Sequence, residues 1–581
     1  MFLFLWAILK LFSAAFTDLL ADEAYYAMYA RQLDWGYFDH PPMVALFVKM
    51  GSFIHGQLGT RLFAVISQLL ILILLWIIIN EKQPTVKKVF LFFGLAASIV
   101  MFQVYGFVMT PDVPLLLFST LFLWVYKYFI EKNSLPLALL LGVIMAGMIY
   151  SKYHACLLIA LVVLSNLKLL RNSNFWIGCM VTVLLLIPHI YWQYAHHLPT
   201  LSYHLIERSD GFKFFYLIEF FYNQLLVFNP VMLVLSVVIL FKYKPENQFE
   251  KSLFFLIGGF LLFFFLSAFK GHVEPHWTTV ICLPMIILCY KFAVQQTWFY
   301  KTTVRYIFPV IAILLWLSVE LTVDTLHLPL GFSHNRSFFL KMGEHTSDKT
   351  VVFQNSYQKP SLYNYYNDKN AVTVNNITYR QNQFDIWNFD EALYNQPVWL
   401  AVPQENEFSL TITEGKRRQD FLAIEHFMPI SKVKIDFGLP KTNFTNNEKV
   451  TIPITITNPY PFDIDFQHKE FPVSIWAVFA RHKKKWAVPC ELSDSILCVK
   501  AGESIQRDAT FHIESEHLGK MHIGFSLYTP LTKLSFNSRF VKVKIEAETL
   551  LLCKTFLFFN TPKVCNINNP LQANPCKKKN F

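Results

Sequence analysis

The feature that most constrains this chain is a series of apolar runs of about 17 to 22 residues, the length that an α-helix needs to cross a bilayer. Charged residues make up only 16% of the sequence, and they collect in short clusters between the runs. The pattern therefore predicts a polytopic α-helical membrane protein. About eleven spans are expected, at residues 1–16, 62–80, 89–109, 115–130, 135–150, 155–170, 175–190, 221–241, 253–269, 278–290 and 307–323.

The basic residues predict the orientation of these spans. The first run has a single charge, Lys10, and no clear cleavage site, so we interpret it as a span with a cytoplasmic N-terminus rather than as a signal peptide. Alternate loops then face the cytoplasm, and each is rich in Lys and Arg, as the positive-inside rule requires. These loops contain Lys82, Lys87 and Lys88; Lys127 and Lys132; Lys168 and Arg171; Lys242, Lys244 and Lys251; and Lys291, Lys301 and Arg305.

The basic loops also explain the net charge of +11, so no nucleic-acid partner is expected. The remaining loops fall on the outer side and carry most of the polar residues, in segments 21–61, 110–112, 151–154, 191–220 and 270–277. These segments were not used to set the topology. Their convergence on one side therefore indicates a functional face.

Hydropathy falls after residue 323, and an odd number of spans places the rest of the chain on the outer side. Residues 324–431 predict a small α/β layer, and the period-two alternation of residues 432–546 predicts an Ig-like β-sandwich. Residues 547–581 are predicted to be a disordered tail, so the domains are 1–323, 324–431, 432–546 and 547–581. Cys490 and Cys498 form either a disulfide or two free thiols, and both alternatives stay open.

The first outer segment holds the most distinctive pattern. If it is helical from Asp22 onward, the side chains of Asp22, Tyr25, Tyr26 and Tyr29 share one helical face. The helix should end near residues 34–36, and an extended elbow through His40 should lead to a second helix after the prolines at 41 and 42.

Several charged residues at the outer edge of the membrane are candidates for chemistry. A surface acid is most often a solvated boundary residue, and Asp112 could simply cap the next helix. Asp22, however, lies among tyrosines with Glu23 beside it. Lys152 lies between two apolar runs, where an unpaired cation costs about 2.5 to 3.5 kcal/mol, so it should meet an anion unless it snorkels to the headgroups. His40 and Arg61 flank the first outer loop and could help to hold a phosphate.

A further cluster comprises His272, Glu274, His276 and Trp277. A zinc site from the two histidines is conceivable, but Pro275 breaks the helix that would align them. We predict no metal ligands and no certain cofactor, and a divalent metal is left open. Carboxylates, cations and aromatic rings above a lipid-exposed bundle suit a transfer from a lipid-phosphate donor to a polar acceptor, because cations stabilise a departing phosphate while a carboxylate takes the hydroxyl proton.

Four motifs resemble one family, the bacterial dolichyl-phosphate-mannose protein mannosyltransferase-like glycosyltransferases of the GT-C superfamily, which include the lipid A aminoarabinose transferase. The likeness covers about the first 330 residues. The motifs are Asp22-Glu23-Ala24-Tyr25-Tyr26, Gly36-Tyr37-Phe38-Asp39-His40-Pro41-Pro42-Met43, Thr110-Pro111-Asp112-Val113-Pro114 and Ser151-Lys152-Tyr153.

The resemblance implies a multi-pass enzyme of the bacterial inner membrane that moves a sugar from a polyprenyl-phosphate donor, with inversion, to an acceptor at the periplasmic face. Asp22 matches the family's first-loop aspartate, Asp112 its second acidic position, and Lys152 a basic position near the donor phosphate. His40 falls where the aminoarabinose transferase has a lysine. The predicted site residues are Asp22, Asp112 and Glu23 for catalysis; Lys152, His40 and Arg61 for the phosphate; and Tyr25, Tyr26, Tyr153, His272, Glu274, His276 and Trp277 for the substrate pocket.

Four hypotheses for the function follow. The first has an envelope glycan, lipid or lipopolysaccharide as the acceptor, and the second has Ser or Thr of a protein. A non-catalytic transporter of lipid-linked sugars would instead need polar residues at mid-membrane. An adhesion protein with a membrane anchor would need far fewer spans. Membrane lipids are partners in each case.

Overall fold

The computed structural model describes residues 1–202, 211–323, 326, 334–387, 389–403, 407–481, 484–513 and 518–547. Its first part, up to residue 323, is helical. The helices are α1 (Phe2–Phe16), α2 (Ala21–Arg31), α3 (Met43–Gly51), α4 (Gln57–Ile79), α5 (Val86–Ser98), α6 (Val100–Val104), α7 (Asp112–Lys132), α8 (Leu135–Ser151), α9 (His154–Ser165), α10 (Ser173–Ala195), α11 (Pro199–Ser202), α12 (Phe214–Phe228), α13 (Pro230–Lys242), α14 (Gln248–Ser267), α15 (Cys282–Gln295) and α16 (Thr297–Val323), with 3₁₀ turns at Leu167–Arg171 and Pro275–Ile281.

All eleven apolar runs contain helix, but fewer of them form continuous spans than the sequence predicts. Within the described ranges, six helices are long and apolar enough to cross a membrane, and two bent pairs raise the number to eight. The run at 221–241 is one predicted span, yet the chain bends by 101° between α12 and α13. Asn229 causes the break, because its φ is +66° and its side chain accepts a hydrogen bond from the Met232 amide to cap α13.

The basic loops meet at one end of the helical bundle. Lys88 lies 2.9 Å from Glu81, which also accepts a hydrogen bond from Tyr290. Lys291 pairs with Glu250 at 2.5 Å. Three of the loops that the charge pattern assigns to the cytoplasm are therefore joined by ion pairs and hydrogen bonds, and the polar outer segments gather at the opposite end.

An α/β layer follows the bundle. Its five-stranded mixed sheet has the order β2-β1-β3-β5-β4, with β1 parallel to β2 and β3, and with β5 antiparallel to β3 and β4. The core of this layer includes Ala24 of α2, so it packs directly on the membrane part. Its elements are α17 (Asn335–His345), β1 (Thr350–Gln354), α18 (Gln358–Asn367), β2 (Val372–Val374), α19 (Gln383–Ile386), a 3₁₀ turn at Glu391–Leu393, β3 (Val398–Val402), β4 (Leu410–Glu414) and β5 (Arg417–Ile424).

The C-terminal part is β-rich, as the period-two pattern predicts. One sheet has the order β11-β10-β15-β17-β7 with β16 beside β15, a second has the order β12-β14-β8-β6, and β9 pairs with β13. Both larger sheets contribute buried residues to one core, because alternate side chains of a strand such as β8 point inward. The strands are β6 (Lys434–Phe437), β7 (Asn443–Thr445), β8 (Lys449–Thr457), β9 (Ile464–Asp465), β10 (Ser474–Arg481), β11 (Lys484–Pro489), β12 (Glu491–Leu492), β13 (Cys498–Val499), β14 (Ser504–His512), β15 (Gly519–Thr529), β16 (Lys533–Leu534) and β17 (Val541–Glu546).

The α/β layer is fastened to α2 and its neighbours by polar contacts. The Leu19 amide donates to the Tyr366 hydroxyl at 3.0 Å, and Arg31 pairs with Asp368 at 3.0 Å. Cys490 and Cys498 are free thiols in this structure, which is the second of the two alternatives given for these cysteines. The predicted disordered tail, from residue 548 onward, lies outside the described residues.

Candidate functional site

Glu23 and Arg61 form a fully buried ion pair. Arg61 Nε and Nη2 lie 2.7 and 2.5 Å from the two carboxylate oxygens, and neither side chain has exposed surface. Arg61 also donates to the carbonyl oxygens of Thr17 and Asp18, while Glu23 accepts from the Met109 amide at 2.9 Å. The pair therefore ties the α1–α2 turn to α4 and to the segment before α7.

This geometry corrects two sequence predictions. Every nitrogen of the Arg61 guanidinium and both oxygens of Glu23 already have protein partners. Reaching a substrate would mean breaking a buried charge pair, which costs about 3 to 5 kcal/mol. We therefore withdraw Arg61 as a phosphate ligand and Glu23 as a catalytic carboxylate.

Asp112 and Lys152 form a second buried pair, at the end of the bundle opposite the basic loops. Lys152 Nζ lies 2.9 Å from both carboxylate oxygens, and the side chains are only 6% and 7% exposed. Asp112 begins α7 and Lys152 follows α8, so two helix ends bring them together. The anion that Lys152 requires is thus a carboxylate of the chain itself, and a donor phosphate would have to bind beside this pair.

Asp22 contacts the α/β layer. Its Oδ1 accepts a hydrogen bond of 2.9 Å from the hydroxyl of Tyr357, whose ring packs on Tyr25 at a centroid distance of 4.5 Å. Burial and the neighbouring Asp22 carboxylate raise the pKa of Tyr357 well above its usual value. The phenol therefore stays protonated and donates to Asp22, which holds the carboxylate in one orientation.

Asp39 and Arg380 complete this cluster. Arg380 donates to Asp39 Oδ1, and its guanidinium lies 4.8 Å from the centroid of the Tyr357 ring. Asp39 Oδ2 accepts from the Tyr25 hydroxyl at 3.1 Å, and that hydroxyl accepts from the Gln383 amide at 2.7 Å. Two residues of the α/β layer, Tyr357 and Arg380, thus contact Asp22 and Asp39, two of the four acids of the first outer segment.

Tyr26 is a buried residue of the same helix as Asp22. Its ring is 5.7 Å from that of His40, and the charges of Asp22, Asp39 and Asp112 all act on its hydroxyl. Tyr26 is therefore in the electric field of both candidate carboxylates, Asp22 and Asp112.

Helix α10 holds the first outer segment in place. Tyr153 contacts His189 at 2.7 Å, and the other ring nitrogen of His189 contacts the Trp35 carbonyl at 2.6 Å. Gly36 passes so close that a Cβ there would lie 2.5 Å from the Trp192 ring. Tyr153, predicted as a pocket residue, thus contacts a histidine that holds the first outer segment in place.

The last predicted cluster divides in two. His272 lies 2.9 Å from Glu219 and 3.4 Å from Glu274, at the start of the segment that leads into the 3₁₀ turn. Trp277, like His276, lies in the turn itself, and its ring packs 5.2 Å from that of His154, two residues after Lys152. Trp277 therefore packs on the first residue of α9, whereas His272 forms a separate polar group with Glu219 and Glu274.

No metal site emerges from the described part of the chain, where no group of three or more His, Cys, Asp or Glu side chains is placed to hold an ion. The zinc alternative with His272 and His276 therefore has no third ligand among those residues.

Sequence reasoning missed three residues of the cluster around Asp22. Asp39 stands in the second family motif without a predicted role, and Tyr357 and Arg380 lie in a segment without a motif. Arg380 is 341 residues from Asp39, and Tyr357 is 335 residues from Asp22. No periodicity within the chain signals contacts at such separations.

Comparison with known proteins gives a consistent result. Residues 39–192 match the family model described as dolichyl-phosphate-mannose-protein mannosyltransferase. The lipid A galacturonosyltransferase RgtD of Rhizobium johnstonii is 22% identical over 304 residues, which are 49% of this chain and 62% of that protein. The chain thus matches less than two thirds of the length of this relative.

Two solved structures share the fold. The crystal structure of ArnT from Cupriavidus metallidurans in the apo state has a TM-score of 0.54 at 12% identity, covering 72% of this chain and 96% of ArnT. ArnT bound to undecaprenyl phosphate gives 0.53 at 14% identity, with 73% and 97% covered. The predicted resemblance is therefore confirmed: the chain is similar to the mannosyltransferase family and to RgtD, and it shares the fold of ArnT.

Proposed function

We propose that this chain is an inverting membrane glycosyltransferase that moves a sugar from a polyprenyl-phosphate donor to a lipid A-like lipid or another envelope glycan. The observation that carries the proposal is the site at Asp22, in which a partly exposed carboxylate is oriented by Tyr357 on an ArnT-like fold. Lys152, a cation suited to a phosphate, is paired with Asp112. The charges of Asp112 and Asp22 both act on the Tyr26 hydroxyl. The names of the matched proteins support the same chemistry.

The proposed reaction assigns one role to each group. The acceptor hydroxyl oxygen forms a bond to the anomeric carbon from the face opposite the phosphate, and the bond from that carbon to the phosphate oxygen breaks. Asp22 takes the hydroxyl proton as the general base. Lys152 and His40 stabilise the charge on the departing polyprenyl phosphate, and Asp112 holds Lys152 in place. Tyr25, Tyr26 and Trp277 shape the pocket.

The proposed membrane orientation follows from the basic loops. Tyr290 donates a hydrogen bond to Glu81 and Lys291 pairs with Glu250, so three basic loops meet at one end of the bundle. The positive-inside rule assigns that end to the cytoplasm. The Asp22 site and the β-rich part then face the periplasm of a bacterial inner membrane.

The decisive experiment replaces Asp22 with Asn. Purified protein is reconstituted with lipid extract that contains polyprenyl-phosphate-linked sugars, and release of polyprenyl phosphate is followed by mass spectrometry. The Asp22→Asn variant should lose transfer by about 10²-fold or more, because a general base typically contributes 10²- to 10⁴-fold. Asp436→Asn, an exposed acid of the β-rich part, is the matched control and should behave like the unsubstituted chain. Full activity in Asp22→Asn protein would refute the assignment.

A second measurement identifies the acceptor. The relative from Rhizobium johnstonii is named for lipid A, so envelope lipids of a deletion strain should lose a sugar mass. The family description names protein as an acceptor, and loss of sugar from periplasmic proteins with unchanged envelope lipids would transfer the proposal to that class.

A further inference from the structure

A polar cavity of about 50 Å³ lies where the α/β layer meets the β-rich part. Its polar and charged lining residues include Asn375, Asp385, Asp390 and Lys432. The rings of Phe384 and Phe389 form part of the same wall, and the proposed reaction uses none of these side chains.

Asn375 indicates that the cavity takes a ligand with hydrogen-bond donors. Its side chain is 4% exposed, and its Nδ2 donates to Asp385 Oδ2 at 2.7 Å. Its Oδ1 is buried and accepts no hydrogen bond from the described residues. A buried acceptor without a partner costs about 1 to 3 kcal/mol, so a donor should enter the cavity to meet it.

The two acids offer different hydrogen-bonding groups. Asp390 accepts hydrogen bonds from Ser431 and Tyr460 and lies 3.0 Å from Lys432 Nζ, so its oxygens act as acceptors. Burial raises the pKa of Asp385 to about 7, so near neutral pH this group can donate as well as accept. Donors, acceptors and phenyl rings around one small space are suited to the hydroxyls and the apolar face of a sugar.

Helix α19 connects the cavity to the Asp22 site. The Gln383 amide donates to the Tyr25 hydroxyl at 2.7 Å, and Gln383 Oε1 accepts from the Phe38 amide at 2.8 Å. The next residue, Phe384, lines the cavity and stacks on Tyr25 with ring centroids 6.3 Å apart. A ligand in the cavity would therefore lie one short helix away from the proposed site of transfer.

We propose that this cavity is a subsite for a neutral sugar unit of the acceptor. Since a water molecule needs at least about 10 to 15 Å³ of such space, the volume admits a hydroxymethyl group or two hydroxyls, and the ring rests at the mouth against Phe384 and Phe389. Assigning the sugar to the acceptor rests on the proposed glycosyltransferase function, whereas sugar binding itself does not.

The test is a binding experiment on the full chain in lipid nanodiscs. The methyl α-glycosides of glucose, galactose and mannose, and N-acetylglucosamine, are titrated by saturation-transfer difference NMR. At least one should bind saturably, and Asn375→Ala should weaken that binding about two- to twelvefold, as expected for one lost hydrogen bond. Asp385→Asn keeps the side-chain shape and should also weaken binding, and Thr451→Ala, at an exposed residue of β8, should not.

Absence of saturable binding by all four sugars overturns the proposal, as does equal binding by the Asn375→Ala and Asp385→Asn variants. Asp22→Asn separates the two proposals, because it should abolish transfer while sugar binding persists. Sugar binding with transfer retained in Asp22→Asn protein would refute the general base and leave the subsite standing.

Discussion

The buried pair of Glu23 and Arg61 provides the sharpest prediction, because sequence and structure assign it different roles. If the pair is a structural tie between α2 and α4, removing either partner leaves a charge in a site without exposed surface. Such a change typically costs 3 to 5 kcal/mol. Arg61→Met leaves the carboxylate with only the backbone amides of Leu20 and Met109, and Glu23→Gln leaves the guanidinium with backbone carbonyls.

The double variant should recover part of the loss, since it leaves no unpaired charge. We expect each single substitution to lower the free energy of unfolding by about 3 to 5 kcal/mol, and a coupling energy of about 3 kcal/mol, the upper end of the range for contacting residues. Unfolding is measured in mixed micelles with increasing dodecyl sulfate, followed by tryptophan fluorescence. The matched control is the exposed pair of Lys544 and Glu546, 50% and 49% exposed, for which Lys544→Met should cost no more than about 1 kcal/mol.

Transfer activity decides between the two roles. In the structural role, variants of Glu23 and Arg61 that are still folded at low temperature keep most of their activity. Single variants that unfold like the unsubstituted chain, within about 1 kcal/mol, but lose transfer by 10²-fold would refute the structural role and restore the catalytic one.

Three further predictions follow from the same geometry. Lys152→Gln leaves Asp112 buried beside a neutral partner and should lower both transfer and thermal stability. Lys152→Arg should recover most of the stability. Scanning fluorimetry measures the stability and the transfer assay measures the activity. Arg380→Gln removes a hydrogen bond to the Asp39 carboxylate that is worth about 1.5 to 3 kcal/mol, so transfer should slow about ten- to hundredfold without loss of expression. An unchanged transfer rate would show that the α/β layer only covers the site. Because burial raises the pKa of Asp385 from 3.8 to about 7, the folded chain keeps a proton that the unfolded chain releases. The stability of the folded chain should therefore fall as pH rises from about 4 to about 7. Thermal unfolding of Asp385→Asn protein across that pH range should lack this dependence.

The membrane part was predictable where a local pattern carries the information. Apolar runs of span length form helices because a bilayer requires every backbone hydrogen bond to be made within the segment. A helix begins at Met43 directly after the proline pair, and another begins at Asp112. The break at Asn229 escaped prediction, because hydropathy is averaged over a window and does not detect a single residue with positive φ.

The candidate site was likewise predictable only in part. The sequence identified Asp22, Asp112 and Lys152 as polar groups at the edge of the membrane, where burial of a charge demands a partner. It did not identify the partners. Lys152 meets Asp112, 40 residues away, instead of an external phosphate.

By itself, therefore, the sequence determined the helical bundle, the separation of basic loops from polar segments, and the β-rich C-terminal part, since hydropathy and side-chain period act over neighbouring residues. Only the tertiary structure decided that Arg61 pairs with Glu23. It also decided that Tyr357 contacts Asp22 and that Arg380 contacts Asp39. Those contacts depend on how the α/β layer packs on α2. Packing between segments more than 300 residues apart is set by the shape of both surfaces, which no local pattern records.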